Sequence, residues 1–175
     1  GNILESLGYD ERTCELARIA GYMHDIGNVV NRADHAQSGA LMAFDILNRL
    51  GMPPKEVALI SAAIGNHDEG TAAAVSPIAA ALILSDKGDV RRTRVRDKET
   101  VSEDIHDRVN YAVERASTVI DPERKTATLN IKIDTRICPV MEYFEIFMTR
   151  MVLCRQAARF LGLQFELIIN DTRLL

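Results

Sequence analysis

Apolar residues recur at steps of three and four through most of the first hundred positions, which predicts a run of amphipathic helices punctuated by glycine and proline. Residues 1–7 read as a helix tail closed by Gly8, after which Asp10 is placed to cap a second helix over residues 11–25. That helix is expected to turn Cys14, Ala17, Tyr22, Met23 and Ile26 toward a core and to stop at Gly27. Asp34 and Gln37 have capping-box spacing, and Leu41, Phe44, Ile46, Leu47 and Leu50 supply the stripe of a third helix that ends before Gly51. Pro53 and Pro54 open a fourth helix through Val57, Leu59, Ile60, Ala63 and Ile64, and Ser76-Pro77 is an N-cap and first-turn pair for a fifth.

The pattern changes after Asp86. Lys87, Arg91, Arg92, Arg94, Arg96 and Lys98 belong to a polar stretch reaching Asp104, read as a surface connection. A helix over 105–116 then leads into 117–121, a turn at 122–125, and a segment where Ala127, Leu129, Ile131 and Ile133 alternate with polar residues, the period-two signature of a hairpin. Pro139 starts a strongly amphipathic helix (Val140, Phe144, Phe147, Met151, Cys154, Ala158, Leu161), Gly162 closes it, and 164–170 reads as a last strand. The expected fold is therefore mainly α, a helical domain over 1–116 with a small C-terminal α+β unit (β-β-α-β) over 117–175. The 140–161 stripe is expected to cover its own sheet, with a homo-oligomeric contact as the alternative.

Composition narrows the class. At 175 residues, 47% hydrophobic and 26% charged, the chain can bury a core without disulfides or metals as staples. Its longest apolar run stops at Ser85-Asp86, well short of the ~20 residues that span a bilayer, so no membrane partner is expected. A net charge of −4 supplies no global field for a polyanion, which makes nucleic acid a poor candidate, although the basic stretch leaves a local patch open. Cys14, Cys138 and Cys154 form no C-x-x-C pair and read as buried apolar residues of a cytoplasmic protein. Gly1 to Leu4 reads like the middle of a helix and lacks a signal pattern, so the chain is expected to begin inside a longer protein.

The chemistry is concentrated in the histidines. Of only four, three sit with aspartates at expected helix ends: His24-Asp25, His35 at the start of the next helix, and His67 at the end of the fourth; Asp86 follows in the fifth. Each has a bland alternative, a capped helix end for His24-Asp25, a helix-start residue for His35 and a C-terminal cap for His67. Asp86 is the least bland, because an unpaired carboxylate in an apolar run costs several kcal/mol and requires a cation or strong donors. Imidazoles mixed with carboxylates suit Mn, Fe, Zn or Co better than an all-oxygen Ca or Mg cage, so one or two divalent transition-metal ions are the expected cofactor. His106-Asp107, without upstream partners, is read as a surface or capping pair.

Four stretches together resemble the HD-domain superfamily of metal-dependent phosphohydrolases: "MHDIGN" at 23–28, "DHAQSGA" at 34–40, "NHDEG" at 66–70 and "LILSDKGDVRRTRVR" at 82–96. The resemblance covers roughly residues 1–96 and is closest to the two-metal branch. It implies that Asp25 bridges two ions, with His24 and Asp86 on one and His35 and His67 on the other. It also implies phosphoester hydrolysis by metal-bound hydroxide, with His24, Asp25 and Lys87 as catalytic residues and Lys87, Arg91 and Arg92 as phosphate-binding charges. For the last three an exposed, solvated face is the alternative. The family's leading histidine has no counterpart before His24, Asn28 stands where many two-metal members have lysine, and Asn66 replaces the second histidine of the cyclic-dinucleotide branch.

The expected function is hydrolysis of a nucleotide or similar small phosphoester. The rival is a degenerate HD module that binds nucleotide or a protein partner without turnover, favoured by the missing histidine and by Asn28. A third reading, an RNA phosphodiesterase gripping a backbone with the basic stretch, lacks a Gly-x-x-Gly loop and clustered aromatics.

Overall fold

In a computed structural model, which describes residues 1–70, 72–90, 92–95 and 104–174, the chain is mainly helical with a small sheet near its C-terminus. The helices α1 (Asn2–Ser6), α2 (Glu11–Met23), α3 (His35–Arg49), α4 (Pro54–Gly65) and α5 (Pro77–Lys87) form the bundle, and α6 (Ile105–Ala112) follows the basic stretch. Then come β1 (Val113–Asp121), β2 (Thr126–Ile133), α7 (Val140–Phe160), β3 (Gln164–Ile169) and β4 (Thr172–Arg173), with the sheet in that strand order. β1 pairs antiparallel with β2, and α7 carries the chain across so that β3 runs parallel to β2. No helix among the described residues is long and apolar enough to cross a membrane.

Local signals account for most boundaries. The Asp10 carboxylate accepts from the Thr13 amide at 3.0 Å and the Ser76 hydroxyl from the Ala79 amide at 3.1 Å, so both act as N-caps. Gly51 and Gly162 take φ near +75°, the left-handed conformation that ends α3 and α7.

Several expectations are corrected. α2 ends at Met23, and Gly27 lies within a separate 3-10 turn, Ile26–Val29, instead of stopping the helix. Asp34 is left-handed (φ 53°) and makes no side-chain cap, so the expected capping box is absent. Tyr22 is 92% exposed. Leu41, Phe44 and Leu50 are also exposed, because α3 packs through its smaller residues, Ala36, Gly39 and Ala43, together with Leu47. A close approach of α3 to the 3-10 turn requires that small face. The sixth helix stops at Ala112, not 116, and the first strand begins at Val113, where the chain enters the sheet through an irregularity between Val113 and Arg115. β4 was not expected from the sequence; its two residues extend the pattern only after the Asn170-Asp171 turn.

α5 holds the molecule together. Ile78 through Leu84 are all buried, so the helix is apolar around its whole circumference, as expected of a helix covered on every side. One side, with Ile78, Ala79, Ala81 and Leu82, joins the helical core. The other, with Ala80, Ile83 and Leu84, joins the core under the sheet and α7. The α7 stripe is accordingly buried against α5 and its own sheet, with Phe147, Met151, Cys154 and Ala158 at its centre. Asp86 and Lys87 stand at the C-terminal end of α5, where the two cores meet.

Candidate metal centre

Three backbone features carry the histidines to one point. His24 caps the C-terminus of α2, so the chain turns away immediately and leaves Asp25 just outside the helix. The 3-10 turn then lies directly against the start of α3: a Cβ on Gly27 would sit 2.0 Å from the His35 carbonyl oxygen and 2.6 Å from the Gly39 nitrogen. Only glycine permits that approach, and the approach is what sets His35 beside Asp25. His67 follows the last turn of α4, whose long contact with α3 faces it toward His35.

The result is a chain of short separations. His24 Nε2 lies 3.6 Å from Asp86 Oδ1 and 3.6 Å from Asp25 Oδ2. The other oxygen of Asp25, Oδ1, lies 3.4 Å from His35 Nε2, which is itself 3.3 Å from His67 Nε2. One ligand atom each from His24, Asp25 and His67 falls within 4.8 Å of the other two. The two oxygens of Asp25 thus face different histidines.

The hydrogen bonds of the rings decide their chemistry. Each Nδ1 faces a backbone carbonyl three residues earlier: His24 to Gly21 at 2.7 Å, His35 to Arg32 at 3.1 Å and His67 to Ile64 at 2.6 Å. A carbonyl only accepts, so each Nδ1 carries a proton, and in the neutral ring Nε2 presents its lone pair to the centre. The Nε2 atoms of His35 and His67 stand 3.3 Å apart on two almost fully buried rings, a separation that calls for a proton or a metal cation between them. This is the outer-shell arrangement that orients histidine ligands, and the donor set fits a divalent transition metal.

The chain belongs to the HD domain family. The family model matches residues 1–131, three quarters of the sequence, and spans every donor just described. HD domains bind divalent metals and are generally hydrolases. Among curated proteins and among solved structures nothing matches the chain.

The electrostatics of this HD centre follow from burial and pairing. Burial by itself would raise the Asp86 carboxyl, but His24 and Lys87 outweigh it and hold the group well below the usual carboxylate range. His24 is raised by the neighbouring Asp86 carboxylate against the effect of its own burial, whereas burial lowers His67. Lys87 is buried, not on a solvated face. Its Nζ lies 2.8 Å from Asp86 Oδ2 and 3.7 Å from both Asp68 and Glu69. Arg92 points elsewhere: its Nε donates to the Tyr111 carbonyl at 2.6 Å and its guanidinium stacks on the Tyr111 ring. Arg91 lies outside the described residues, as do Arg96 and Lys98. His106 is exposed at the start of α6, away from the centre, with its amide capped by Asp104.

Sequence reasoning missed Arg32 and Arg150. Arg32 lies 3.8 Å from Asp25 Oδ1, in a loop whose sequence carries no signal. Arg150 comes from α7, where a cation at the edge of an apolar stripe was the one available hint; it pairs with Glu69. Two cavities adjoin the donors. A cleft of about 660 Å³, within the range of small-molecule sites, has His24, Asp25 and Asp86 on one wall and Ser117 and Thr118 of β1 on another. A small cavity of about 10 Å³ is lined by Asp25, Arg32, His35, Asp86, Lys87 and Arg150.

Proposed function

We propose that the chain hydrolyses a nucleotide or similar small phosphoester, with His24, Asp25, His35, His67 and Asp86 holding one or two divalent ions. The observation that carries this reading is the convergence of three Nε2 atoms and two carboxylates from four separate segments on one point, a donor set that a divalent cation would hold together. A bound divalent ion supplies Lewis acidity toward a phosphoryl oxygen and lowers the pKa of a coordinated water. The residues of the chain do the remaining work. Asp25, with one oxygen toward His24 and the other toward His35, would bridge a pair of ions, and the carbonyls of Gly21, Arg32 and Ile64 would keep the three rings in the tautomer that leaves Nε2 for a metal. Lys87 neutralises the outer oxygen of Asp86 and fixes its orientation. The 660 Å³ cleft, which reaches the same carboxylates, accommodates the body of a nucleotide-sized substrate.

The test is metal content after expression in medium supplemented with Mn, Fe, Zn or Co, followed by turnover of a phosphomonoester and phosphodiester panel. Bound metal with turnover abolished by Asp25→Asn is the expected result. Metal bound without turnover on any substrate supports the rival, a non-catalytic HD module, and absence of any bound metal overturns both the cofactor and the reaction.

A further inference from the structure

The small cavity beside the donors is walled entirely by charged side chains and histidine, and three of them are cations from separate parts of the chain: Arg32 from the loop before α3, Lys87 from the end of α5, and Arg150 from the middle of α7. Arg150 lies outside the stretch that matches the HD family, so the family core alone does not supply it. Its guanidinium is held in one orientation on two sides, by stacking 4.4 Å from the Phe147 ring centroid and by the Nε hydrogen bond to Glu69. A guanidinium has five N–H donors, and the four on Arg150 Nη1 and Nη2 have no hydrogen-bond acceptor among the described residues. A fixed, largely buried fork with unmet donors facing a polar cavity is arranged for an anionic ligand.

We propose that Arg32, Lys87 and Arg150 form a seat for one non-bridging oxygen of a substrate phosphoryl group, so that α7 of the C-terminal unit completes the HD site. The inference rests on the phosphoester reading above and deepens it. The volume, about 10 Å³, is room for about one water-sized body, which matches a single oxygen and not a whole phosphate. Asp25, His35 and Asp86 line the same cavity, so an oxygen in the seat keeps its phosphorus beside the candidate metal donors, and Asp25 and Asp86 also line the larger cleft, which takes the rest of the molecule. Four carboxylates (Asp25, Asp68, Glu69 and Asp86) surround the three cations, leaving one negative charge in excess until a divalent ion arrives. Anion binding in the seat therefore requires the loaded site.

Calorimetric titration of inorganic phosphate into the Mn²⁺-loaded chain tests this. Arg150→Ala is expected to weaken phosphate about tenfold or more, the loss of a charge-assisted pair, with Mn²⁺ content unchanged. Arg150→Lys, which keeps the charge and the fold but not the fork, is expected to fall between. Glu69→Gln removes one of the surrounding negative charges while its amide oxygen still accepts from Arg150 Nε, so the fork stays in place and phosphate should bind as tightly or tighter. Arg159→Ala, on the exposed side of the same helix, should match the unsubstituted chain. Phosphate affinity within twofold of the unsubstituted chain in Arg150→Ala, a Glu69→Gln loss as large as that of Arg150→Ala, or no phosphate binding at all would each overturn the seat. Phosphoester turnover measured alongside keeps the two readings apart: phosphate bound through Arg150 without turnover removes the hydrolase and leaves the seat, whereas turnover indifferent to Arg150 does the reverse.

Discussion

Replacing Gly27 by alanine tests how the site is assembled, because one methyl group is inserted where two backbones meet. An added Cβ would lie 2.0 Å from the His35 carbonyl oxygen, about 1 Å inside the 3.0 Å limit that real Cβ contacts respect, and its next neighbours, Gly39 N and Ser38 Oγ, are both at 2.6 Å. None of the first two is the end of a flexible side chain, so the 3-10 turn and the start of α3 must separate by on the order of 1 Å. Overpacking of this kind costs about 1–3 kcal/mol. For a chain of this length each kcal/mol moves the melting temperature about 2–4 °C, which gives a fall of about 2–12 °C. Metal–ligand distances tolerate only about 0.2 Å, so the same displacement takes His35 out of reach of an ion held by Asp25. Differential scanning calorimetry and metal titration measure the two effects. Gly21→Ala is the control of opposite sign: nothing lies within 4 Å of its Cβ, and alanine in a helix interior gains about 0.5–1 kcal/mol over glycine. If Gly27→Ala melts within 1 °C of the unsubstituted chain and binds metal with unchanged stoichiometry, the backbone contact does not set the position of His35 and the assembly argument fails.

Stripping metal with a chelator should lower the melting temperature, because the ion binds the folded ligand set; at a free metal concentration one hundred times Kd the difference is about 2.7 kcal/mol, or about 5–11 °C, and equal melting curves with and without metal would contradict a folded-state site. Alkaline stability reports on Cys154, whose thiol is pushed up by burial from 9.0 to about 12. The fold favours the protonated thiol, so its contribution is fully present below about pH 9 and is lost between 9 and 12, at a slope of about 1.4 kcal/mol per pH unit. Urea unfolding of the native chain and of Cys154→Ala at pH 8 to 11 should therefore converge as pH rises; parallel curves would show that Cys154 does not titrate differently in the folded state.

Arg150 and Lys87 show where reading along the chain stops. The Asp10 and Ser76 caps, the glycine stops at 51 and 162, and the period-two segment at 127–133 are set by neighbours a few residues away, so they are visible in the sequence and present in the structure. The apolar run 78–84, which in the sequence marked only a stretch too short to span a bilayer, is buried throughout in α5. Small residues are the least legible: the sequence presents Gly27 as a helix stop, whereas its role is a contact with α3 at His35 and Gly39, and Leu41, Phe44 and Leu50 face solvent while α3 packs through Ala36, Gly39, Ala43 and Leu47.

The types and order of the candidate donors, His24, Asp25, His35, His67 and Asp86, are legible in composition and spacing, because metal chemistry selects imidazole and carboxylate whatever surrounds them. The proton on each Nδ1 follows from a carbonyl three residues back, but the facing of the rings was decided by tertiary structure, since their Nε2 atoms converge only when helices distant in sequence pack at a particular approach. The same holds for the ion pair between Glu69 and Arg150, 81 residues apart, and for the burial of Lys87 where two cores meet. Local physics gives each residue its capacity to bind or cap; long-range packing chooses its partner, because a side chain's field and solvent exposure depend on segments that no window of sequence contains.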